Sequence, residues 1–561
     1  MAGLIECVPN FSEGRDLSVI RQITSVIESC SGVRLLDVDP GRATNRTVVT
    51  FAGTPNEVLE AALQAVAEAA RLIDMREHHG EHPRFGATDV CPLIPISGIS
   101  MEETVALARE LARRIGEELG IPAFCYEHAA LIEERTNLAV VRSGEYEGLE
   151  EKLKEARWKP DFGPKVFNAR SGATAVGARD FLVAYNINLN TTSTRRANAI
   201  AFDVREKGRL KRRGDPLTGE VVRNEEDQPV YTSGSLQHVK AIGWFIEEYG
   251  IAQISMNLTN LKKTPLHVAF DEVCHKAELR GLRVTGSELV GLIPLQAMLD
   301  AGSYFLRKQQ RSIGVSDDEL LKIAVKSLGL DELQTFDPKK KIIEYVLASD
   351  HADRLIDQPL EHFIEQTASE SPAPGGGSVA ATIGSLGAAL GTMVANLSSH
   401  KKGWDDRWEE FSDWAVRSRQ YQVELVALID ADTAAFNAIL DAFRLPKSTP
   451  PETVERQRRI QEATQTAIKV PLQIMQQALN SMEIIRAMAE IGNPNSVSDA
   501  GVGALCARAA VRGGGLNVRI NSSDLTDREL AADFCKKADD LENAAKKAEV
   551  EILRIVQQQL G

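Results

Sequence analysis

Cysteine is scarce in this chain of 561 residues, and the few cysteines are scattered. The seven cysteines are odd in number, and no two of them form a Cys-x-x-Cys pair. A secreted disulfide framework needs paired cysteines, whereas cytoplasmic proteins keep their thiols reduced. The sequence therefore predicts free thiols and a cytoplasmic location.

An excess of positive charge is missing as well. The chain has 65 lysines and arginines against 79 aspartates and glutamates, which gives a formal net charge of -14. Proteins that bind nucleic acids usually present a basic surface, so we expect no nucleic-acid partner.

Long apolar runs are the third absence. No uninterrupted run of about 18 apolar residues is evident, as a transmembrane helix would require. The first residues also lack the basic and apolar segments of a signal peptide. We therefore expect neither a transmembrane helix nor a membrane partner.

The first half of the chain shows one order of strands and helices twice. Strand, helix, strand, strand, helix, strand is the order over residues 4–96, and it returns over residues 181–293. This is the βαββαβ order of a ferredoxin-like fold. Residues 88–95 resemble residues 287–294, which supports a duplication. Two such units side by side would leave a groove for a ligand between their sheets.

The second half has a different character. Residues 357–559 carry helical periodicity in six segments with almost no strand signals, which predicts a bundle of five or six helices. One helix should be kinked at Pro471. The predicted fold class is thus α+β followed by all-α: two ferredoxin-like subdomains and then a helical bundle. The predicted boundaries are residues 1–181, 182–346, a linker at 347–355, and 356–561.

One loop holds three of the ten histidines, His78, His79 and His82. Loops between regular elements present side chains to ligands. Because Gly80 and Pro83 interrupt any helix here, His78 and His82 do not share a helical face, which disfavours metal binding. General acid/base chemistry by one histidine and a surface loop without chemistry both stay open.

Two other segments are rich in small residues. Residues 161–179 would let a flat ring approach the backbone closely, or they form a plain connector. Residues 373–381 place three glycines before an alanine-rich helix, where free backbone N–H groups attract anions or carbonyl-rich rings, with a simple tight turn as the alternative. No Gly-Lys-Ser/Thr follows at the required spacing, so we expect no nucleotide.

Charged residues mark two further places. Residues 205–214 form a dense basic run, either a solvated loop or a site for an acidic ligand tail. Asp430 and Asp432 lie in an otherwise apolar helical segment, two residues apart, so at most one faces the bundle core. A buried carboxylate is costly, which makes one of them a candidate acid/base group.

Several motifs, in the same order along essentially the whole chain, resemble those of the bifunctional formimidoyltransferase-cyclodeaminases. They are Cys-Val-Pro-Asn-Phe-Ser-Glu-Gly, Leu-Leu-Asp-Val-Asp, Thr-Asn-Arg-Thr-Val, Gly-Glu-His-Pro-Arg, Asp-Phe-Gly-Pro and Ala-Pro-Gly-Gly-Gly-Ser-Val-Ala-Ala. The resemblance implies a folate enzyme of histidine degradation with two active sites.

The first implied reaction moves the formimidoyl group from N-formimidoyl-L-glutamate to tetrahydrofolate, the co-substrate, and releases L-glutamate. The second cyclises 5-formimidoyltetrahydrofolate to 5,10-methenyltetrahydrofolate and releases ammonia. Neither reaction needs a nucleotide, metal or redox cofactor. Two alternatives stay open: transfer of formyl rather than formimidoyl, and a folate-binding scaffold without catalysis.

The resemblance also implies the site residues. His82 matches the catalytic histidine of the transferase and Asp432 the aspartate of the cyclodeaminase, with Asp39 and Arg84 in support. The implied folate segment of the transferase is Gly163, Pro164, Lys165, Val166, Phe167, Asn168, Ala169, Arg170, Ser171 and Gly172. That of the cyclodeaminase is Pro374, Gly375, Gly376, Gly377 and Ser378.

Two departures from the animal members concern the folate tail: a longer loop at residues 205–238, and Ser171 in place of a bulkier residue. Members form rings of dimers, so we expect a homo-oligomer. Folates in cells carry polyglutamate tails, which would need a local basic surface. The candidates are Arg205, Lys207, Arg209, Lys211, Arg212, Arg213, Lys401 and Lys402.

Overall fold

The computed structural model describes residues 3–41, 45–80, 84–214, 219–247, 249–348, 354–371 and 373–561. The chain divides into two compact units. A mixed unit comprises residues 1–297 and 328–348, and a helical unit comprises residues 298–327 and 349–561. The predicted succession of α+β and all-α regions is confirmed at this level.

The first sheet of the mixed unit has seven strands. Its elements, in chain order, are β1 (Leu4–Cys7), β2 (Asn10–Phe11), α1 (Leu17–Glu28), β3 (Val33–Gly41), β4 (Arg46–Gly53), α2 (Pro55–Leu72), β5 (Thr88–Ser97), α3 (Met101–Glu118), β6 (Ala123–Glu127), α4 (Leu138–Val141), α5 (Leu149–Lys154) and β7 (Thr174–Ala178). In space the strands run β3, β4, β1 with β2, β5, β7, β6. All pairs are antiparallel except those of β7, which is parallel to both β5 and β6.

Apolar packing fixes this sheet against its helices. Ile5, Phe51 and Leu93 on the strands share one buried cluster with residues of α1, α2 and α3. The hydrophobic alternation of each strand sets which face turns to the helices. The opposite face carries Glu6, and its residues Phe124 and Tyr126 of β6 pack with Val141 of α4 and Leu149 of α5.

The second sheet has four antiparallel strands in the order β13, β14, β8, β15. Its elements are β8 (Val183–Leu189), α6 (Thr194–Val204), β9 (Arg209–Leu210), β10 (Arg212–Arg213), β11 (Glu220–Val221), β12 (Tyr231–Thr232), β13 (Val239–Ile246), β14 (Ile251–Leu258), α7 (Leu266–Glu278) and β15 (Val284–Val290). The strand predicted near 288–293 thus starts earlier, and it ends before Gly291, whose φ of +80° breaks the extended run.

Four helices follow this sheet: α8 (Leu295–Lys308), α9 (Asp317–Leu328), α10 (Pro338–Lys341) and α11 (Ile343–Ala348). The division between the two units falls inside α8, and residues 298–327 belong with the helical unit. Most of the predicted linker, residues 349–353, lies outside the described residues. The boundaries inferred from the sequence stay a prediction.

The helical unit contains six further helices: α12 (Leu360–Ala368), α13 (Gly376–Ser399), α14 (Trp408–Arg444), α15 (Pro450–Ile491), α16 (Val497–Ser522) and α17 (Arg528–Leu560). Their apolar faces form one large buried cluster. α13 is long and apolar enough to cross a membrane by length and composition alone, a test that buried core helices also pass, so the expectation of no transmembrane helix stays a prediction. The mean hydropathy of its most apolar 18-residue window is 1.5, and 61% of that window is buried inside the protein.

α15 runs from Pro450 to Ile491 and continues through Pro471. Proline has no N–H, so the carbonyl of Ala467 loses its helical partner. The side chain of Asn521 on α16 donates to that carbonyl at 2.8 Å. A residue from the neighbouring helix thus replaces the missing hydrogen bond.

Candidate functional site

His82, the catalytic candidate in the histidine loop of the mixed unit, lies outside the described residues, as do Glu81 and Pro83. The residues on either side are described. Their hydrogen bonds show which residues fix the two ends of the loop.

His78 is a buried part of this framework. Its Nδ1 accepts a hydrogen bond from Arg84 Nε at 3.2 Å, and its Nε2 lies 2.8 Å from the carbonyl oxygen of Asn45. This pattern assigns the neutral tautomer with the proton on Nε2. Burial lowers the pKa of His78, and the Asn45 carbonyl opposes that effect. Both ring nitrogens are occupied, so His78 serves structure.

Arg84 is held by two glutamates as well as by His78. Its guanidinium donates to both carboxylate oxygens of Glu147 at 2.6 and 2.8 Å, and to Glu145 at 3.2 Å. The hydrogen bond to Glu147 is the main cause that raises the pKa of Arg84. These residues line a cavity of about 460 Å³ together with His79 and two glycines. Arg84, which the sequence predicted as a supporting residue, thus fixes the histidine loop against residues 144–147.

Asn45 links the histidine loop to the N-terminal motif, and the sequence reasoning missed it. Its Oδ1 accepts from the backbone N–H of Gly14 at 3.0 Å, and its Nδ2 donates to the carbonyl of His79 at 3.0 Å. Its φ of +48° is a left-handed conformation that asparagine tolerates better than most residues. Asn45 is the asparagine of the Thr-Asn-Arg-Thr-Val motif, and this motif is the sequence feature that could have indicated its role.

A charged cluster lies beneath the same loop. Asp89 is fully buried, accepts from the backbone N–H of Phe85 at 3.1 Å and pairs with Arg142 at 3.2 Å. Burial raises the pKa of Asp89 to about 6, and Arg142 opposes this. The predicted supporting residue Asp39 is exposed on β3 and acts electrostatically on Arg46, which also interacts with Asp89.

The predicted folate segment, residues 163–172, is fixed at one end to the histidine loop. Ser171 and Gly172 are buried, and the carbonyl of Ser171 accepts from Ala87 N at 2.8 Å. Gly172 has a φ of +66°, and an added Cβ would lie 2.2 Å from the carbonyl oxygen of Phe85, so only glycine fits. The carbonyl of Arg170 accepts from Met75 N at 2.9 Å.

The middle of this segment faces solvent. Gly163, Pro164, Lys165, Val166 and Ala169 are exposed. Phe167 stacks obliquely on Tyr146 with ring centroids 5.4 Å apart, and Asn168 Oδ1 accepts from Ser171 N. The structure therefore brings together the segment, the histidine loop and the Arg84 cavity within the mixed unit.

In the helical unit, Asp432 of α14 meets the start of α13. Its Oδ2 accepts from the Ser378 hydroxyl at 3.1 Å, and the Ser378 backbone N–H also bonds to the carboxylate. Burial raises the pKa of Asp432, and the bonds from Ser378 oppose that rise. A Cβ on Gly377 would lie 2.1 Å from Asp432 Oδ1, so glycine is required for this approach.

The other residues predicted at this turn lie around the same point. Gly375 is the N-cap of α13, Pro374 before it is buried, and Gly376 is exposed near the side chain of Asn517. The prediction that the two aspartates point in different directions is confirmed. Asp430 Oδ1 accepts from the backbone N–H of Leu355 at 2.8 Å, whereas Asp432 contacts Ser378.

The basic candidates for a folate tail divide into engaged and exposed residues. Arg209 pairs with Asp203, and Arg212 donates to the carbonyl of Gly219. Arg205 donates to the carbonyl of Gly208 and lies over the Phe202 ring, Lys207 lies over Tyr231, and Lys401 lies over Trp404. The remaining three are exposed: Lys211, Arg213 and Lys402. Two short ladders, β9 with β12 and β10 with β11, order the insertion that carries six of the eight.

Within the described ranges, no group of three or more histidine, cysteine, aspartate or glutamate side chains is arranged to hold a metal ion.

Three family models match the chain in succession. "Formiminotransferase domain, N-terminal subdomain" matches residues 4–179, "Formiminotransferase domain" residues 184–348, and "Formiminotransferase-cyclodeaminase" residues 359–540. The formimidoyltransferase-cyclodeaminase of Gallus gallus is 43% identical over 558 residues, which cover 99% of each chain. The chain belongs to the formimidoyltransferase-cyclodeaminase family.

Shorter relatives match parts of this family member. The glutamate formimidoyltransferase of Thermoplasma acidophilum is 42% identical over 306 residues, 54% of this chain and 92% of that protein. The methenyltetrahydrofolate cyclohydrolase of Methylorubrum extorquens is 38% identical over 184 residues, 33% of this chain and 88% of that protein. The resemblance drawn from the motifs is confirmed.

Proposed function

We propose that this family member is a bifunctional folate enzyme with a transferase site in the mixed unit and a cyclodeaminase site in the helical unit. The transferase moves the formimidoyl group from N-formimidoyl-L-glutamate to tetrahydrofolate. The cyclodeaminase closes the product to methenyl-tetrahydrofolate. The names of its full-length and shorter relatives favour formimidoyl over formyl transfer, and favour an enzyme over a scaffold.

One observation carries this proposal furthest. A carboxyl group in the helical unit, that of Asp432, is half-buried against a glycine-rich helix start and keeps its proton to a higher pH than an ordinary aspartate. Perturbed carboxyl groups of this kind are characteristic of acid/base catalysis. The family match supplies a reaction that needs such an acid.

In the transfer step, a pterin-ring amine attacks the formimidoyl carbon and gives a tetrahedral intermediate. The bond to the glutamate nitrogen then breaks, and that nitrogen leaves as an amine after it gains a proton. One group that takes a proton from the attacking nitrogen and delivers it to the leaving nitrogen serves both steps. His82 is the proposed group, supported by Asp39 and Arg84, with residues 163–172 against the pterin.

In the cyclisation, the neighbouring anilino nitrogen attacks the same carbon. The carbon–nitrogen bond to the amidine nitrogen then breaks, and ammonia leaves only if that nitrogen is protonated. Asp432 carries the proton in this proposal, and the turn at Pro374, Gly375, Gly376, Gly377 and Ser378 holds the folate ring.

The finer architecture belongs to the same proposal. Both halves of the mixed unit have the βαββαβ order with the first strand beside the third and fourth, which supports two ferredoxin-like subdomains. We infer residues 1–181 and 182–346 for these subdomains, 347–355 for the linker and 356–561 for the cyclodeaminase. We also infer that the protein is cytoplasmic and that it forms a homo-oligomer, a ring of dimers.

Exposed cations in each of the two units support retention of the folate between its two reactions. Lys211, Arg213 and Lys402 are exposed cations that would attract a polyglutamate tail. Tethering raises the local concentration without changing the chemistry. With a polyglutamylated folate, little formimidoyl-folate should escape before methenyl-folate forms, whereas equal escape from a monoglutamate at low salt would contradict tethering.

The proposed activities are tested by incubating the purified protein with tetrahydrofolate and either N-formimidoyl- or N-formyl-L-glutamate. Methenyl-folate absorbance with release of ammonia is expected from the formimidoyl donor. His82→Ala should lose roughly 10²-fold or more in transfer rate. His79→Ala is the matched control, because His79 is exposed in the same loop. Near-normal transfer by His82→Ala would contradict the assignment.

A further inference from the structure

A cleft in the helical unit has polar side chains that neither proposed active site uses. It measures about 400 Å³ and lies between the segment after α8, the C-terminal half of α13 and the middle of α14. We call it the Arg311–Arg419 cleft. Its polar lining includes Arg311, Glu319, Asn396, His400, Arg419 and Gln422.

The walls of the cleft are fixed to one another. Asn396 Nδ2 donates to the carbonyl of Gly314 at 2.8 Å, and Ile313 N donates to the Ser412 hydroxyl at 3.1 Å. Gly314 lies so close to α14 that an added Cβ would be 2.4 Å from the Ala415 Cβ. The cleft is therefore a built feature of the helical unit.

The two arginines keep hydrogen-bonding capacity for a ligand. Arg311 lies 3.4 Å from Glu319, and Arg419 lies 3.5 Å from Asp317 and from Gln422. These distances exceed the 2.7–2.9 Å or so of close charge-assisted pairs, and each guanidinium has five N–H donors. The carboxylates hold the arginines in place without occupying all their donors.

The charges in the cleft are nearly balanced. The two arginines face Glu319 and Asp317, and the pKa of His400 is lowered by burial and by Arg311, which keeps this imidazole neutral near pH 7. A simple anion would meet the two carboxylates as well as the arginines. A zwitterion, with its own positive and negative groups, matches the pattern better.

Asn396 adds an acceptor that lacks a donor. Its Oδ1 is buried and has no hydrogen-bond partner among the described residues. The amide cannot turn over, because its nitrogen is needed at the Gly314 carbonyl. A buried acceptor without a partner is costly, so a small movement of this side chain that lets the N–H donor of a ligand reach Oδ1 would be favoured.

We propose that the Arg311–Arg419 cleft binds an amino acid with two carboxylates, and specifically L-glutamate. The two carboxylates pair with Arg311 and Arg419, and the ammonium group donates to Asn396 Oδ1 and Glu319. The choice of glutamate rests on the proposed function, because the transferase releases it. The cleft shares no residue with either proposed active site.

Calorimetric titration of the full chain with L-glutamate tests the proposal. The wild type should bind two molecules per chain, one as transferase product and one in the cleft. Arg311→Met and Arg419→Met should each bind one. Arg417→Met is the matched control and should bind two, because Arg417 lies on the same helix and pairs with Glu483 at the surface. Arg419→Lys, which keeps the charge but loses the planar fork, should weaken the second site roughly tenfold.

Glutarate, which is glutamate without its amino group, should bind the cleft at least roughly ten times more weakly. Equal binding of glutarate would overturn the role of Asn396. A glutamate stoichiometry unaffected by both Arg311→Met and Arg419→Met would overturn the site. Displacement of glutamate by oligo-γ-glutamate at far lower concentration would make the cleft a folate-tail site instead. If only the proposed transferase function were wrong, the wild type would bind one glutamate, and Arg419→Met would abolish it.

Discussion

Asp432 experiences two opposing effects on its carboxylate. Burial favours the protonated form, whereas the hydroxyl and N–H of Ser378 favour the ionised form, and burial dominates. The result is a carboxyl group that can donate a proton at higher pH than an ordinary aspartate. Such a group suits protonation of a leaving nitrogen.

We expect Asp432→Asn to lower the cyclodeaminase rate by roughly 10²-fold or more, with transfer unchanged. Because the acid form is required, the wild-type rate should fall as the pH rises through the elevated pKa. The pH profile of ammonia release measures both effects. Asp430→Asn is the matched control and should retain cyclisation, since Asp430 holds Leu355 rather than Ser378. A fully active Asp432→Asn protein would contradict the role.

Glu6 is a second carboxyl group whose pKa is raised by burial, and no reaction is assigned to it. It is buried on the sheet face opposite α1, α2 and α3, and burial raises its pKa to about 7 despite the nearby Arg179. The folded state therefore holds this proton more tightly than the unfolded state does. The stability that this group contributes is complete below about pH 4.5 and is lost as the pH rises through about 7.

Glu6→Gln should consequently stabilise the mixed unit at pH 8 by up to roughly 2–3 kcal/mol, and the gain should shrink towards pH 5. Denaturant unfolding of wild type and variant at both pH values measures it. A pH-independent difference would show that packing, not ionisation, governs this position. Glu102→Gln, at an exposed site on α3, should change nothing.

At the scale of elements, α15 depends on its neighbour to continue through Pro471. The Ala467 carbonyl receives a hydrogen bond from Asn521 instead of from residue 471. A helix with an internal proline usually kinks or breaks unless another group satisfies the freed carbonyl. Packing of α16 against α15 supplies that group.

Asn521→Ala should destabilise the helical unit by about 1–2 kcal/mol, because it leaves the Ala467 carbonyl without a donor. In Asn521→Ala combined with Pro471→Ala, the restored N–H of residue 471 should recover part of the loss, which a double-mutant cycle of unfolding free energies would measure. Strict additivity of the two substitutions would contradict this account. Asn480→Ala on the surface of α15 is the control.

The insertion at residues 205–238 shows that a charged loop can be ordered locally. Arg209 and Arg280 both pair with Asp203, and two short ladders connect its strands. The dense basic run is thus partly neutralised within the mixed unit. Composition alone could not distinguish these engaged cations from the exposed ones.

At the scale of the whole molecule, residues 298–327 matter for any attempt to separate the two activities. They belong with the helical unit, and the Ile313 and Asn396 hydrogen bonds connect them to α14 and α13. A fragment of residues 356–561 lacks these contacts. A fragment of residues 295–561 keeps them.

We therefore expect the 295–561 fragment to melt at a higher temperature than the 356–561 fragment, by several degrees if roughly 1–2 kcal/mol is lost with the two hydrogen bonds. Both fragments should cyclise formimidoyl-folate if they can self-associate, and residues 1–346 should transfer. Thermal melting and separate assays of the two reactions provide the measurements. Equal melting temperatures would mean that residues 298–327 contribute no stability.

The sequence by itself determined the succession of elements and the identity of the family. Hydrophobic periodicity is local, so the six helical segments predicted over residues 357–559 correspond to the six helices from α12 at Leu360–Ala368 to α17 at Arg528–Leu560. The long motifs determined the family, because residues required by one site recur together in order. The mixed and helical character of the two halves follows from the same local patterns.

The tertiary structure decided which of these residues meet. Asn45 and Arg84 belong to motifs that the sequence shows, but nothing in the sequence indicated that both would form hydrogen bonds with His78 and so build one framework. The partner of Asp432, Ser378, lies 54 residues away. Burial, which sets the pKa of Asp432 and Glu6, depends on contacts from distant elements. Long-range contacts of this kind leave no local periodicity, so they became visible only when the chain was folded.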